Sequence, residues 1–237
     1  MALPLSALVA APFALLDWEL EAEAWPYIAA SSALELAYFT LLAAAYARAE
    51  LSLVYPLARG LAPVLVLAAA VTVTGAPTSA SQVLGVLLVA SGVLLVRGLR
   101  RGRGAGFAVA IAASIAAYTV VDNAGVEHAS PLAYLELVTL LTGLGYAAGI
   151  AAVRGRPALR QAAGWRALGA GLAAFAAYGL VLTALERAPA APVAAVRETS
   201  VVIATALGAF VLRERVTRWR FAGAALVAAG VVVLGSA

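Results

Sequence analysis

Five charged side chains interrupt stretches that are otherwise apolar: Glu35, Arg59, Glu136, Arg197 and Glu198. Charge at membrane depth is expensive and marks solute or ion pathways. An arginine there clamps a carboxylate or phosphate through paired N–H donors. A carboxyl there takes up a proton, because burial penalises its charged form. Three of the five are Glu and two are Arg, which leaves one negative charge over. That surplus points to proton-coupled exchange with Glu35 or Glu198 as the carrier. Facilitated diffusion, which needs no titratable group, stays open.

The neighbours of these charges extend the candidate set. Tyr55 precedes Arg59 by one turn and shares its face. Pro56, Gly60 and Pro63 surround the pair, so this segment is a hinge or broken helix at the site, or a passive kink. Glu35 and Tyr38 share a face. Arg197 and Glu198 are consecutive, about 100° apart on a helix, and cannot both face one cavity squarely. Ser114, Tyr118 and Asp122 follow i, i+4 spacing and make a polar stripe. Asp122 and Asn123 fall at its outer edge, where solvated loop residues are expected. Glu136 lies near the start of its segment and is expected to form an ion pair at interface level. The candidate substrate-binding residues are therefore Tyr55, Arg59, Glu35, Tyr38, Arg197, Glu198 and Tyr118.

The elements that position them are dictated by composition. Of 237 residues, 64% are hydrophobic and only 12% charged, with a mean hydropathy of +0.98. A soluble domain carries about 25% charged residues. Half that number leaves too little polar surface to coat a globule in water, and the bilayer is the solvent that accepts the rest. A spanning helix needs about 20 apolar residues. That length marks out nine segments, at 1–16, 25–47, 51–74, 80–96, 104–121, 130–153, 165–185, 189–212 and 219–236. The N-terminus lacks a basic region and a small-residue cleavage site, so it does not read as a signal peptide.

Loop charge supports the count. Every basic residue besides His128 is Arg; thirteen of the sixteen flank even-numbered connectors and one, Arg187, an odd one. Arg59 and Arg197 lie inside segments. The positive-inside rule then puts the Arg-rich connectors in the cytoplasm and the chain in the plasma or inner membrane. Those arginines also suit anionic lipid headgroups.

A shift of 138 residues lays 51–96 on 189–234 without gaps. Arg59 falls on Arg197, Gly85 on Gly223 and Gly92 on Gly230; LVASGV (88–93) falls on LVAAGV (226–231). With the charge-based topology the two copies are inverted, as in many transporters, and Arg59 and Arg197 enter from opposite faces to about 12 Å at 1.5 Å per residue. The first repeat, 1–96, holds four segments and the second, 104–237, five. The arithmetic thus expects one more helix before Met1, lost to a misplaced start or a shortened chain, or absent in a true nine-helix variant.

Two stretches, AYARAELSLVYPLARGLAPVLV (45–66) and VAAVRETSVVIATALGAFVLRERVTRWRFAGAALVAAGVVVL (193–234), resemble the EamA-type drug/metabolite transporter superfamily. RETSVV followed by LRER and a glycine-spaced last helix carries the likeness. The resemblance implies a ten-helix fold of two five-helix repeats, a central cavity and alternating access, with amino acids and other metabolites as cargo. The chain departs from that pattern in its missing first helix and in GAPTSAS (75–81) where the second repeat has LRERVTR (212–218).

The whole reads as an all-α polytopic membrane protein of two inverted repeats, four plus five helices. Its function is alternating-access movement of a small zwitterionic or anionic metabolite, such as an amino acid, with proton-coupled export as one form. The alternative is a non-transporting scaffold or partner subunit, or a homodimer that completes its own cavity. No enzyme signature occurs: there is no G-x-S-x-G, P-loop or H-E-x-x-H. The lack of Cys and the single His leave no metal set. No cofactor, metal or nucleic-acid partner is expected; a small-molecule substrate and membrane lipid are. RGRGAG (101–106) reads as a flexible basic loop, and Gly145-x-x-x-Gly149 as a close-packing motif.

Overall fold

The computed structural model describes every residue except 1, 50, 74, 76, 98–103, 156, 160–163, 211–216 and 236–237. The arginines at 100, 101, 103, 156, 160, 213 and 215 lie outside the described residues. The described helices are α1 (Ala2–Ala14), α2 (Ala24–Arg48), α3 (Leu51–Val73), α4 (Ala80–Arg97), α5 (Ala105–Gly125), α6 (Pro131–Arg154), α7 (Trp165–Leu185), α8 (Ala190–Val196), α9 (Thr199–Phe210) and α10 (Arg218–Gly235), with a 3-10 turn at Leu15–Asp17. Among the described residues no strand forms; one isolated bridge joins Leu20 and Ala129.

Five helices, α2, α5, α6, α7 and α10, are long and apolar enough to cross a bilayer. Leu57–Val73 and Ala80–Val96 are shorter apolar stretches. The chain is thus a multi-pass membrane protein. Each expected segment contains helix, with two departures. Helix α3 runs unbroken from Leu51 to Val73 through Pro56, Gly60 and Pro63, so of the alternatives open for that segment the broken helix does not occur. The segment expected at 189–212 is instead divided, at Arg197–Glu198, into α8 and α9. There the backbone switches to tighter bonding: Glu198 N–H donates to the Ala195 carbonyl at 3.0 Å and Ser200 N–H to that of Arg197 at 3.5 Å. Such i, i−3 bonds are characteristic of 3-10 turns.

The chain forms two compact units, each drawn from separate stretches. The first comprises residues 1–40 and 121–187. In it α1 packs against both α6 and α7, and α6 against α7. The α2 portion meets α6 where Thr142 Oγ1 donates to the Ser32 carbonyl at 3.3 Å and Phe39 approaches Tyr146 with ring centroids 6.3 Å apart. In the glycine motif, a Cβ on Gly145 would lie 3.2 Å from Leu36, whereas one on Gly149 would meet nothing within 4 Å. The connectors at one end are clipped together: Glu21 N–H donates to the His128 carbonyl and Ser130 N–H to that of Glu19, both at 2.9 Å. His128 stacks on Tyr27 at 5.7 Å and its Nδ1 lies 3.1 Å from Glu21 Oε2.

The second unit comprises residues 41–120 and 188–237. Its densest packing joins α4 to α10, with α3 against α4 and α8. Helices α4 and α10 run antiparallel and touch through glycines. A Cβ on Gly92 would stand 2.6 Å from the Gly223 carbonyl oxygen, and one on Gly223 2.6 Å from that of Gly92. Gly85 and Gly230 meet likewise, at 3.0 and 2.8 Å. Such backbone approach is how helices gain contact energy where lipid removes the hydrophobic drive. The helix starts correspond too. Ser79 caps α4, its Oγ accepting from Gln82 N–H at 3.1 Å while Gln82 Oε1 accepts from Ser79 N–H at 3.2 Å, a reciprocal capping box. Thr217, 138 residues later, caps α10 by accepting from Arg220 N–H at 3.4 Å.

Candidate functional site

The second unit brings four of the candidate residues together. Arg59 sits about 12 Å along α3, at 1.5 Å per residue. The face of α3 that packs inward is small: Val54, Ala58, Ala62 and Val66 are all buried. At Gly60 a Cβ would stand 2.8 Å from Leu94 of α4. This closeness seats α3 deeply and sets Arg59 beside α8. Arg59 Nη1 lies 3.1 Å from Glu198 Oε1, at the point where α8 ends and the chain turns into α9. Its guanidinium carbon lies 5.7 Å from the centre of the Tyr55 ring, one turn earlier, a cation–π distance. Arg197 is close enough to act on Arg59 electrostatically.

The two partners differ in exposure. The Glu198 side chain is 3% exposed and that of Arg59 21%. Tyr55 is also partly open. The tyrosine ring and the guanidinium are thus the more exposed members of the cluster and the carboxylate the most enclosed. Pro63 adds a further group. It has no N–H to give the carbonyl of Arg59, so that oxygen is released from the helix ladder. The same residue of α3 therefore carries a planar donor fork on its side chain and a backbone carbonyl that Pro63 cannot serve.

Arg59 is held by Glu198, and the 138-residue shift puts Gly60 where the second repeat has Glu198. Both residues of the Arg197–Glu198 turn act on Arg59, Glu198 by an ion pair and Arg197 by repulsion. Tyr118 lies buried on α5 in this unit.

Glu35 and Tyr38 belong to the first unit. Glu35 interacts electrostatically with Tyr134, and Tyr38 sits edge-on to Phe39 at 5.1 Å. Two residues of this unit depart from expectation. Asp122 is fully buried rather than a solvated loop residue, because α5 continues to Gly125. Tyr134 Oη donates to Asp122 Oδ1 at 3.0 Å and Tyr178 Oη to Oδ2. The Tyr134 ring lies hard against Gly125, where any side chain would collide with it. Asn123 Nδ2 donates to the Leu185 carbonyl at 2.9 Å, tying α5 to the end of α7. Glu136 is 6% exposed rather than set in an interface ion pair. None of the ion pairs among the described residues includes it, and its Oε2 makes no hydrogen bond there. The type of Asp122, a carboxylate in i, i+4 step with Tyr118, was the available signal for burial; Tyr134 and Tyr178 gave none.

A pocket of about 430 Å³ opens at the connector end of this unit. Asp17, Glu19, Glu21, Glu127 and Glu186 line it, above a floor that includes Leu132.

Residues 102–236, more than half of the chain, match the profile of the EamA-like transporter family. No curated protein matches the sequence. A chain of apolar spanning helices, with an arginine–glutamate pair held inside one of its units and this sequence match over its second half, belongs to the EamA-like transporter family.

Proposed function

We propose that the protein moves a small zwitterionic metabolite of the amino-acid class across the cytoplasmic membrane by alternating access, as a proton-coupled exporter. The observation that carries this reading is the Arg59–Glu198 pair at a helix turn, reachable from the arginine side. The guanidinium suits the carboxylate of such a solute bidentately. The freed carbonyl of Arg59 and the carboxylate of Glu198 suit its ammonium group. A purely anionic solute would gain the arginine but face Glu198, so a solute carrying both charges fits better.

Support for an inverted repeat comes from the α4–α10 joint. The contacts Gly85 to Gly230 and Gly92 to Gly223 exchange with each other under the 138-residue shift. An antiparallel pair with that property is what two inverted copies produce. The domain reading of 1–96 and 104–237 as two repeats, with Arg-rich connectors in the cytoplasm, rests on this and on charge parity.

The test is uptake of radiolabelled amino acids, tried singly, into proteoliposomes holding the wild type or Arg59→Ala. Uptake of at least one amino acid that Arg59→Ala abolishes is expected. Uptake equal in both proteins would remove Arg59 from the path, and no uptake of any amino acid by the wild type would sink the substrate class.

A further inference from the structure

The deep carboxyls differ in what holds them. Glu198 has Arg59, and Asp122 has two tyrosine hydroxyls. Glu35 acts on Tyr134. Glu136 is buried with an oxygen that makes no hydrogen bond among the described residues. An ionised carboxylate that no arginine pairs among the described residues is strongly penalised in such surroundings. It needs a cation, and the proton is the one that needs no room.

Position makes Glu136 reachable. At 100° per residue, Glu136 shares one flank of α6 with Leu132, Thr139 and Gly143. Leu132 helps form the floor of the acidic pocket. Glu136 stands one turn deeper on the same flank, about 6 Å further along the axis. The other walls of that flank bring few competing charges. Helix α1, packed on α6, contains no titratable residue. Helix α7 brings Tyr178, committed to Asp122, and Arg166 in its first turn. The 3-10 turn brings Asp17, which lines the pocket. Helix α2 meets α6 on a different flank, at Thr142 and Gly145, and brings Glu35. Tyr134 on α6 itself also bonds to Asp122. Around the pocket stand Glu19, Glu21, Glu127, Glu186, His128 and Arg187, an acidic rim that concentrates protons above Glu136.

We infer that Glu136 is the proton-binding residue of the transport cycle, loaded and emptied through the acidic pocket one helical turn above it. This rests on the transporter reading for its role in the cycle, but proton binding itself does not. It replaces Glu35 and Glu198 as carrier. The flank supplies one other side-chain oxygen, Thr139, far fewer than the six or more that a hard metal cation requires.

Two measurements on the full chain in proteoliposomes decide it. Infrared difference spectra across a pH jump should show a carboxyl C=O band in the wild type that Glu136→Gln removes and Glu35→Gln leaves. Imposed pH gradients should drive amino-acid uptake in the wild type, and Glu136→Gln should lose that response while still exchanging amino acid without a gradient. Glu136→Asp, which keeps a carboxyl, should recover it. A band that persists in Glu136→Gln, a variant that still follows the gradient, or a response that follows a sodium gradient instead would overturn the assignment. If the wild type moves no amino acid, the transport reading fails on that arm, and the infrared band still decides Glu136.

Discussion

Arg59 and Glu198 come from opposite ends of the sequence and meet at 3.1 Å, with the glutamate almost fully enclosed and the arginine partly open. Removing one partner of a buried pair leaves an uncompensated charge, whereas replacing both by apolar residues of similar volume is often neutral. Arg59→Met and Glu198→Leu should each lower stability by about 3–5 kcal/mol, and the double variant should regain most of that loss. Thermal unfolding in detergent measures the three. If the pair also binds solute, the double variant stays folded and transports nothing. Transport by that variant would make the pair purely structural.

Arg59→Lys separates charge from shape. Lysine keeps the positive charge but loses the planar fork. Loss of one charge-assisted hydrogen bond at about 1.5–3 kcal/mol corresponds to uptake reduced by about 10- to 150-fold. Initial rates at subsaturating amino acid give the ratio; a ratio near one would mean that no bidentate contact is made.

Asp122 accepts from two tyrosines on different helices. Asp122→Leu strands both hydroxyls and should destabilise by about 2–6 kcal/mol in all, at about 1–3 kcal/mol per buried unsatisfied group. Adding Tyr134→Phe and Tyr178→Phe to Asp122→Leu should restore much of the loss. Unfolding midpoints of the single and triple variants check this; equal midpoints would show that the hydroxyls had found other partners.

The glycine joint predicts matched effects. Gly92→Ala and Gly223→Ala each push a methyl into a backbone carbonyl and should destabilise by about 1–3 kcal/mol, to similar extents. Gly149, with open space around it in mid-helix, should behave oppositely: Gly149→Ala should stabilise by about 0.5–1 kcal/mol through helix propensity alone. Thermal unfolding of the three variants on one scale tests both signs.

Much of the architecture is legible along the chain because spanning helices are fixed by local runs of apolar residues. Leu, Ala and Val from 165 to 185 or from 51 to 73 need no distant partner to declare a helix. Arg59 was legible for the same reason, since one charge in such a run stands out. What was not legible is pairing at a distance. Asp122 begins the polar run DNAGVEH, which looks like a loop; its burial depends on Tyr134 and Tyr178, the second of them 56 residues away. The turn at Arg197–Glu198 carries no Pro or Gly to announce it. It presents Glu198 to Arg59, a contact across 139 residues.

The joint between α4 and α10 carries a pair of glycines, seven residues apart, on each of its two sides. Each helix presents to the other the same two glycines in the same order, reversed by direction alone. A surface of that kind is its own complement. On the inverted-repeat reading proposed above, a single half inserted both ways round would already carry both faces of the seam, and joining two copies would need no new fit between them. On that reading the halves differ where it matters most for charge, since Glu198 stands in one where Gly60 stands in the other.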